Sequence, residues 1–415
     1  MMMAIIKRER WFLSPFFLPL NILVFGLLLV FFESVEANAT TYYVATTGND
    51  SSSGTSASPW RNPQKCAAYP VKAGDTCLVR RGTYYAPTGK TVVVYVNSSS
   101  ASGTSSLPIT IKSETPLGAS LIIPSTSSTL NTAFYLTKPY YIIDGFDISG
   151  GANNGASVGF AGIYVTPAAT GTIIRSNSIH HIGRSVCSNS SYGFAAIYLS
   201  NASSPAVQEN RIFSIGRRRN GESGCSTTRY QNDHGIYVSG GSNATIRRNV
   251  FYDTNRGYPI HVYGGTATNL NIYHNTMSGR SPTGQPVGQI MLGSTIRTAS
   301  IKNNISSNAQ GGMIHTWSLS GSGISVTYNL SNTMVKSSAS VSGASFSSNF
   351  EKLSPLFISE SSNDFRLSSS SPSINRGTSS GVPIVPDGTP DVGGYEYSLQ
   401  NTVASPLTPT GIKTY

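Results

Sequence analysis

From about residue 160 onward, hydrophobic positions recur in a fixed order. A short strand of alternating apolar residues is followed by a polar stretch, a second apolar pair and an asparagine. Six segments share this pattern: "AGIYVTPAATGTIIRSNSI", "AAIYLSNASSPAVQENRIF", "HGIYVSGGSNATIRRNVF", "YPIHVYGGTATNLNIYHNTM", "GQIMLGSTIRTASIKNNIS" and "GGMIHTWSLSGSGISVTYNLS". They open around Ile163, Ile197, Ile236, Ile260, Ile290 and Met313, and they reach Asn177, Asn210, Asn249, Asn275, Asn304 and Asn329. Successive openings lie 34, 39, 24, 30 and 23 residues apart, the differences between those residue numbers. A basic period near 23 with insertions predicts a solenoid rather than a sandwich.

The physical solution to this pattern is an all-β, single-stranded, right-handed parallel β-helix. One coil of three short strands cannot bury its apolar side, whereas stacked coils pair every strand with the coils on either side. Strand-rich pieces upstream ("VVVYVN", "PITIKS", "SLIIP", "AFYLT", "YYIIDGFDIS") extend the stack to about ten coils. A β-propeller would need a period of about 40–45 residues. The recurring asparagine is predicted to sit in a tight turn, where it tolerates left-handed backbone and hydrogen-bonds its equivalent in adjacent coils.

If Ile236 and Val238 face the core, alternation turns Gly235, Tyr237 and Ser239 outward. The outward column then reads Tyr164, Tyr198, Tyr237, His261, Met291, Ile314, an aromatic ridge suited to stacking sugar rings. The two longest spacings insert "GRSVCSNSSYG" and "GRRRNGESGCSTTRYQN" at one corner of consecutive coils. They carry Arg184, Arg217, Arg218, Arg219 and Arg229, whose guanidinium forks match a sugar carboxylate.

The ends and the composition set the compartment. Lys7, Arg8 and Arg10 precede an apolar run ending near Phe32, and Ala37 and Ala39 frame a cleavage site, so residues 1–39 read as a signal peptide. The β-helix domain then spans 40–397, with an N-terminal cap at about 40–85, a closing segment at about 365–397 and a tail at 398–415. Net charge is +11 with 41 glycines. This suits short strands joined by turns, and a basic exported protein meets an acidic glycan more readily than nucleic acid, because its bases are not in blocks. A secreted or periplasmic monomer, free of the membrane after cleavage, is expected. Four cysteines in such a chain imply two disulfides, paired Cys66–Cys77 and Cys187–Cys225.

The segment "YYVATTGNDSSSGTSASPWRNPQKCAAYPVKAGDTCLVRRGTYY", the "HGIYVSG…IRRNVFYDTNRG" coils and "SPSINRG…DGTPDVGGYEY" resemble the secreted β-helix proteins similar to family-nine pectate lyases. The resemblance covers nearly the whole mature chain. It implies the pectin-lyase fold, export and action on pectate or a similar polyuronate such as alginate, with calcium on an aspartate cluster and a lysine base. Here the aspartates available are Asp233 and Asp253, with Glu222 from the loop, and no lysine stands in the HGIYVSG rung. Calcium is therefore left open.

No aspartate pair lies on one outward strand, which disfavours a polygalacturonase-type hydrolase. β-Elimination needs a group to neutralise the uronate carboxylate, a base for the C5 proton and an acid for the leaving oxygen. His234, Tyr237, Arg256 and His261 offer those roles, with Tyr164, Tyr198 and Tyr263 as further sugar contacts. A carboxylate at Asp233 would raise the pKa of His234. A C5-epimerase shares the first step, and a non-catalytic glycan-binding protein would use the same groove.

Overall fold

The computed structural model describes residues 39–126, 130–151, 161–228, 231–254, 256–279, 288–309, 311–334, 343–382 and 388–397. The signal peptide, the C-terminal tail and Arg229 lie outside the described residues. Three ladders of parallel strands wind around one apolar core. The first ladder runs through Val92–Val96, Thr132–Leu136, Ala161–Val165, Ala195–Ser200, His234–Ser239 and Ile260–Val262, and then the opening of Ile290–Lys302 and of Ile314–Thr327. The second runs from Thr41–Val44 to Ala344–Ser347, and the third is a ten-stranded sheet from Gly82–Tyr84 to Phe350–Glu351. This is the right-handed parallel β-helix, and the ten strands of the third ladder agree with about ten coils.

Columns of like residues fill the interior. Ile163, Ile197, Ile236, Ile260, Ile290 and Ile314 are stacked in register and fully buried. Ile174, Val207, Ile246, Ile272, Ile301 and Val326 form the second column. β-Branched side chains pack well on such pleated, two-sided contacts.

The asparagine ladder is present and longer than expected. Asn177, Asn210, Asn249, Asn275, Asn304 and Asn329 each donate their backbone N–H and a side-chain N–H to the Oδ1 of the next, and Asn349 ends the run. A further Nδ2–H donates to a carbonyl one coil back, as from Asn249 to Val207. The left-handed residue, however, is the one before each asparagine: Ser176, Glu209, Arg248, His274, Asn303 and Tyr328 all have φ between 53° and 59°. The asparagine is kept for its amide, which satisfies backbone groups that a turn would otherwise leave unpaired.

Two register expectations fail. Gly235 does not face outward; a Cβ there would lie 3.0 Å from the buried Phe251 ring. Each first strand opens with a break in register, so that Gly162–Ile163, Ala196–Ile197 and Gly235–Ile236 face inward as pairs. Farther along, Met291 is opposite His315, while Ile314 is buried opposite Ile290. Aligning the last repeat on Met313 shifts it by one residue, and a shift of one in a period of two exchanges the faces.

Both disulfides form, Cys66–Cys77 and Cys187–Cys225. The closing segment lies along the asparagine turns: Gly393 N–H donates to the Asn303 carbonyl, Gly394 N–H to Thr276 Oγ1, and Arg248 pairs with Glu396 at 2.9 Å. No described helix is long and apolar enough to cross a membrane.

Candidate functional site

The site lies on the outward face of the first ladder. As the repeats imply, His234 takes the position held by Ala161 and Ala195 in the preceding coils. Its strand is held by close backbone approaches. A side chain at Gly193 would collide with the Asn232 carbonyl, and one at Gly257 with the Asp233 carbonyl. The aromatic column is real, and it extends back to Tyr95 and Tyr135. The signal for these two was the same alternation in "VVVYVN" and "AFYLT".

Tyr135, Tyr164 and Tyr198 stack face to face at 4.9 and 4.8 Å, the spacing of the coils. Both faces of Tyr164 are therefore covered by its neighbours. More exposed rings also stand at the site: Tyr192 is 72% exposed, Trp317 62% and Tyr263, stacked on His261, 37%. Tyr164, Tyr198, Tyr192, Trp317 and Tyr263 line a groove of about 600 Å³.

At its floor two imidazoles meet. His261 Nδ1 lies 2.7 Å from His234 Nε2. The Tyr258 backbone N–H donates to His234 Nδ1, making that nitrogen an acceptor. His234 Nε2 then carries the proton and donates to His261 Nδ1, which leaves the proton of His261 on Nε2. That Nε2 is buried and has no partner among the described residues. Both rings are neutral at pH 7. Burial, then the neighbouring His261 and Arg217, holds His234 well below the usual histidine range, and burial with a contribution from His315 pushes His261 down to about 3. His315, on the coil two steps on, also lines the groove, and its ring lies 5.5 Å from that of Tyr258. Burial raises the Tyr237 phenol to about 12, so it is protonated.

The arginines are elsewhere. Arg217, Arg219 and Arg256 are buried rather than presented to a ligand. Asp233, also buried, accepts from the Arg217 side chain at 3.1 Å, from the Arg217 and Phe194 backbone N–H groups, and lies 4.0 Å from Arg256 Nε. Arg256 donates to the Ser188 carbonyl, and Arg184 pairs with Glu222 at 3.0 Å. Arg218 is half-buried, and its carbonyl accepts from Arg256. These residues tie the two stapled loops to the coils. Asp233 consequently leaves the pKa of His234 lowered, not raised.

Calcium does not fit the residues present. Asp233 is committed to arginine, Asp253 stands on the third ladder accepting from Ser214 Oγ at 2.7 Å, and Glu222 holds Arg184 and the Arg219 N–H. Among the described residues no group of three or more His, Cys, Asp or Glu could hold a metal ion, well short of the six or more oxygens calcium takes. Sequence reasoning missed His315, Trp317, Tyr258 and Tyr192. The first two were hidden by the one-residue misalignment, and the others stand off the repeated strand.

The family model for the right handed beta helix region matches residues 127–285. No curated protein matches the sequence. Among solved structures the chain is similar to a GH136 lacto-N-biosidase from Eubacterium ramulus, at 14% identity and a TM-score of 0.52 over 75% of this chain and 60% of that one. It is also similar to the pectate lyase Pel9A (17% identity, TM-score 0.46, 86% of this chain and 96% of that one) and to an alginate lyase from Paenibacillus sp. str. FPU-7 (13%, 0.41, 75% and 95%). At these identities the likeness is one of fold, the right-handed parallel β-helix already traced strand by strand.

Proposed function

We propose that the protein acts outside the cell on a uronate-containing polysaccharide and cleaves it by β-elimination in the aromatic groove. The observation that carries this reading is the unpartnered Nε2 of His261, buried at the floor of a groove whose rim is open aromatic rings. A buried donor without a partner is costly, and a ligand oxygen is what relieves it.

In this reading His261 Nε2–H donates to a carboxyl oxygen of the uronate, and His234 fixes the tautomer that makes it a donor. His315 takes the C5 proton, the C5–H electron pair becomes the C4–C5 double bond, and the C4–O pair leaves with the oxygen, which takes a proton from the Tyr237 hydroxyl. Water then relays the proton from His315 to Tyr237, which returns both groups to their starting states. His234 thus changes from the base suggested by sequence to a positioning residue, because both of its nitrogens are occupied. Trp317, Tyr192 and Tyr263 supply the sugar-stacking surface.

A non-catalytic glycan-binding groove is the second reading, favoured because no Asp, Glu or Lys is among the described lining residues. Incubation with polyuronates of several classes separates the two: ultraviolet absorbance of an unsaturated product supports elimination. His261→Gln should lower that rate by roughly 10²–10³, the usual loss when a transition-state hydrogen-bond donor is removed. Binding of polyuronate without any product, and no inversion at C5, would leave only the binding role.

A further inference from the structure

We infer that the uronate units taken into the groove are those whose carboxyl groups are esterified, so that the ligand at the floor is uncharged. The inference rests on the glycan-elimination reading for turnover and stands apart from it for binding. Its ground is the charge of the groove. None of the described lining residues is Asp, Glu, Lys or Arg. Of the basic residues near the lining in sequence, Arg217 and Arg256 are wholly buried against Asp233 and are not among the described lining residues, and Arg229 lies outside the described residues. Two of the three imidazoles, His234 and His261, are buried and neutral at pH 7.

A free carboxylate entering such a site would leave water without meeting Lys or Arg among the described lining residues, which is strongly unfavourable. An ester carbonyl loses far less on leaving water, and it needs one donor, which His261 Nε2–H provides. The chemistry points the same way. Removing the C5 proton beside a free carboxylate builds a second negative charge and calls for a cation. Beside an ester the same step gives a singly charged enolate, and a neutral N–H donor at close range is matched to that oxygen. The proton goes to His315 and the C4–O bond breaks, so nothing is oxidised or reduced.

The test uses the intact secreted chain and polygalacturonate graded in methyl esterification, with turnover and equilibrium binding measured at low and physiological salt. We expect kcat/KM to rise at least about tenfold from the free acid to the highly esterified polymer, with binding nearly independent of salt. Preference for the free acid, or binding that weakens steeply with salt, overturns the inference. Product formed chiefly from the free acid leaves elimination standing without it. Preferential binding of the ester without product leaves the inference standing and removes elimination, and no binding of any polymer removes both. The exposed rim residue Gln231 gives a second arm, because Gln231→Arg should shift preference several-fold toward the free acid. No shift in either direction would argue against a groove that discriminates by charge.

Discussion

Asp233 and His234 are neighbours in the chain and belong to two different worlds. Asp233 is enclosed with Arg217 and Arg256, its oxygens filled by guanidinium and backbone donors. His234 turns to the groove, where no charged side chain is among the described lining residues and where one imidazole nitrogen is left unpartnered. Charge is concentrated where the chain is held together, and neutral polarity lines the described part of the groove. Opposite charges that meet in a folded chain satisfy each other and cease to be available, so the residues richest in charge are poor guides to the site.

The largest effect should come from breaking the charged half. Asp233→Ala leaves two buried guanidinium groups short of their acceptor and should cost about 3–5 kcal/mol, read by denaturant unfolding. An unchanged midpoint would show that the arginines find other partners. Opening Cys187–Cys225, which closes 38 residues across the same loops, should cost about 2–4 kcal/mol. Both changes are expected to act on stability first and on the groove only through it.

Next comes pH, which separates the halves by sign. Burial lowers His261, and likewise His274, to about 3. Both are neutral in either state above about pH 6.5. Between there and about pH 3 the unfolded chain binds protons that the folded chain refuses, so stability falls as pH drops. Each such histidine contributes up to about 1.4 kcal/mol per pH unit within that window. Hydrogen bonding at the floor of the groove, in contrast, should stay unchanged through pH 6.5, because neither His234 nor His261 titrates there in the folded state. A loss of binding with a midpoint at the ordinary histidine value would mean that an imidazole other than these two controls it.

The fold was legible because a solenoid writes its period into the sequence. Ile163, Ile197 and Ile236 recur with an asparagine at nearly fixed distance, and a polar residue that repeats inside an apolar pattern can only be answering its own copies. The site was half legible. His234 stood out against Ala161 and Ala195, yet the unpartnered nitrogen proposed to meet the ligand belongs to His261, and only the three-dimensional pairing shows which nitrogen is spoken for. The arginines were misread for a related reason. Sequence displays their charge, but the partner of Arg217 lies 16 residues away across a loop. His315 was hidden by one residue of slip, which in a strand is enough to exchange core and surface.

The smallest effects sharpen the division within the aromatic residues themselves. Tyr164 is sandwiched between Tyr135 and Tyr198, so its ring faces belong to the scaffold. Trp317 is 62% exposed and bordered by the groove. Tyr164→Leu should therefore lower stability by about 1–2 kcal/mol, two lost ring contacts of about 0.5–1.5 kcal/mol each partly offset by the leucine, and change glycan affinity little. Trp317→Ala should do the reverse, leaving the melting temperature nearly unchanged and weakening binding by about 1–1.5 kcal/mol, close to tenfold. If Tyr164→Leu instead weakened binding at unchanged stability, the stacked column would be the sugar platform after all. The division between a self-satisfied scaffold and an unsatisfied groove would then have to be drawn one column further out.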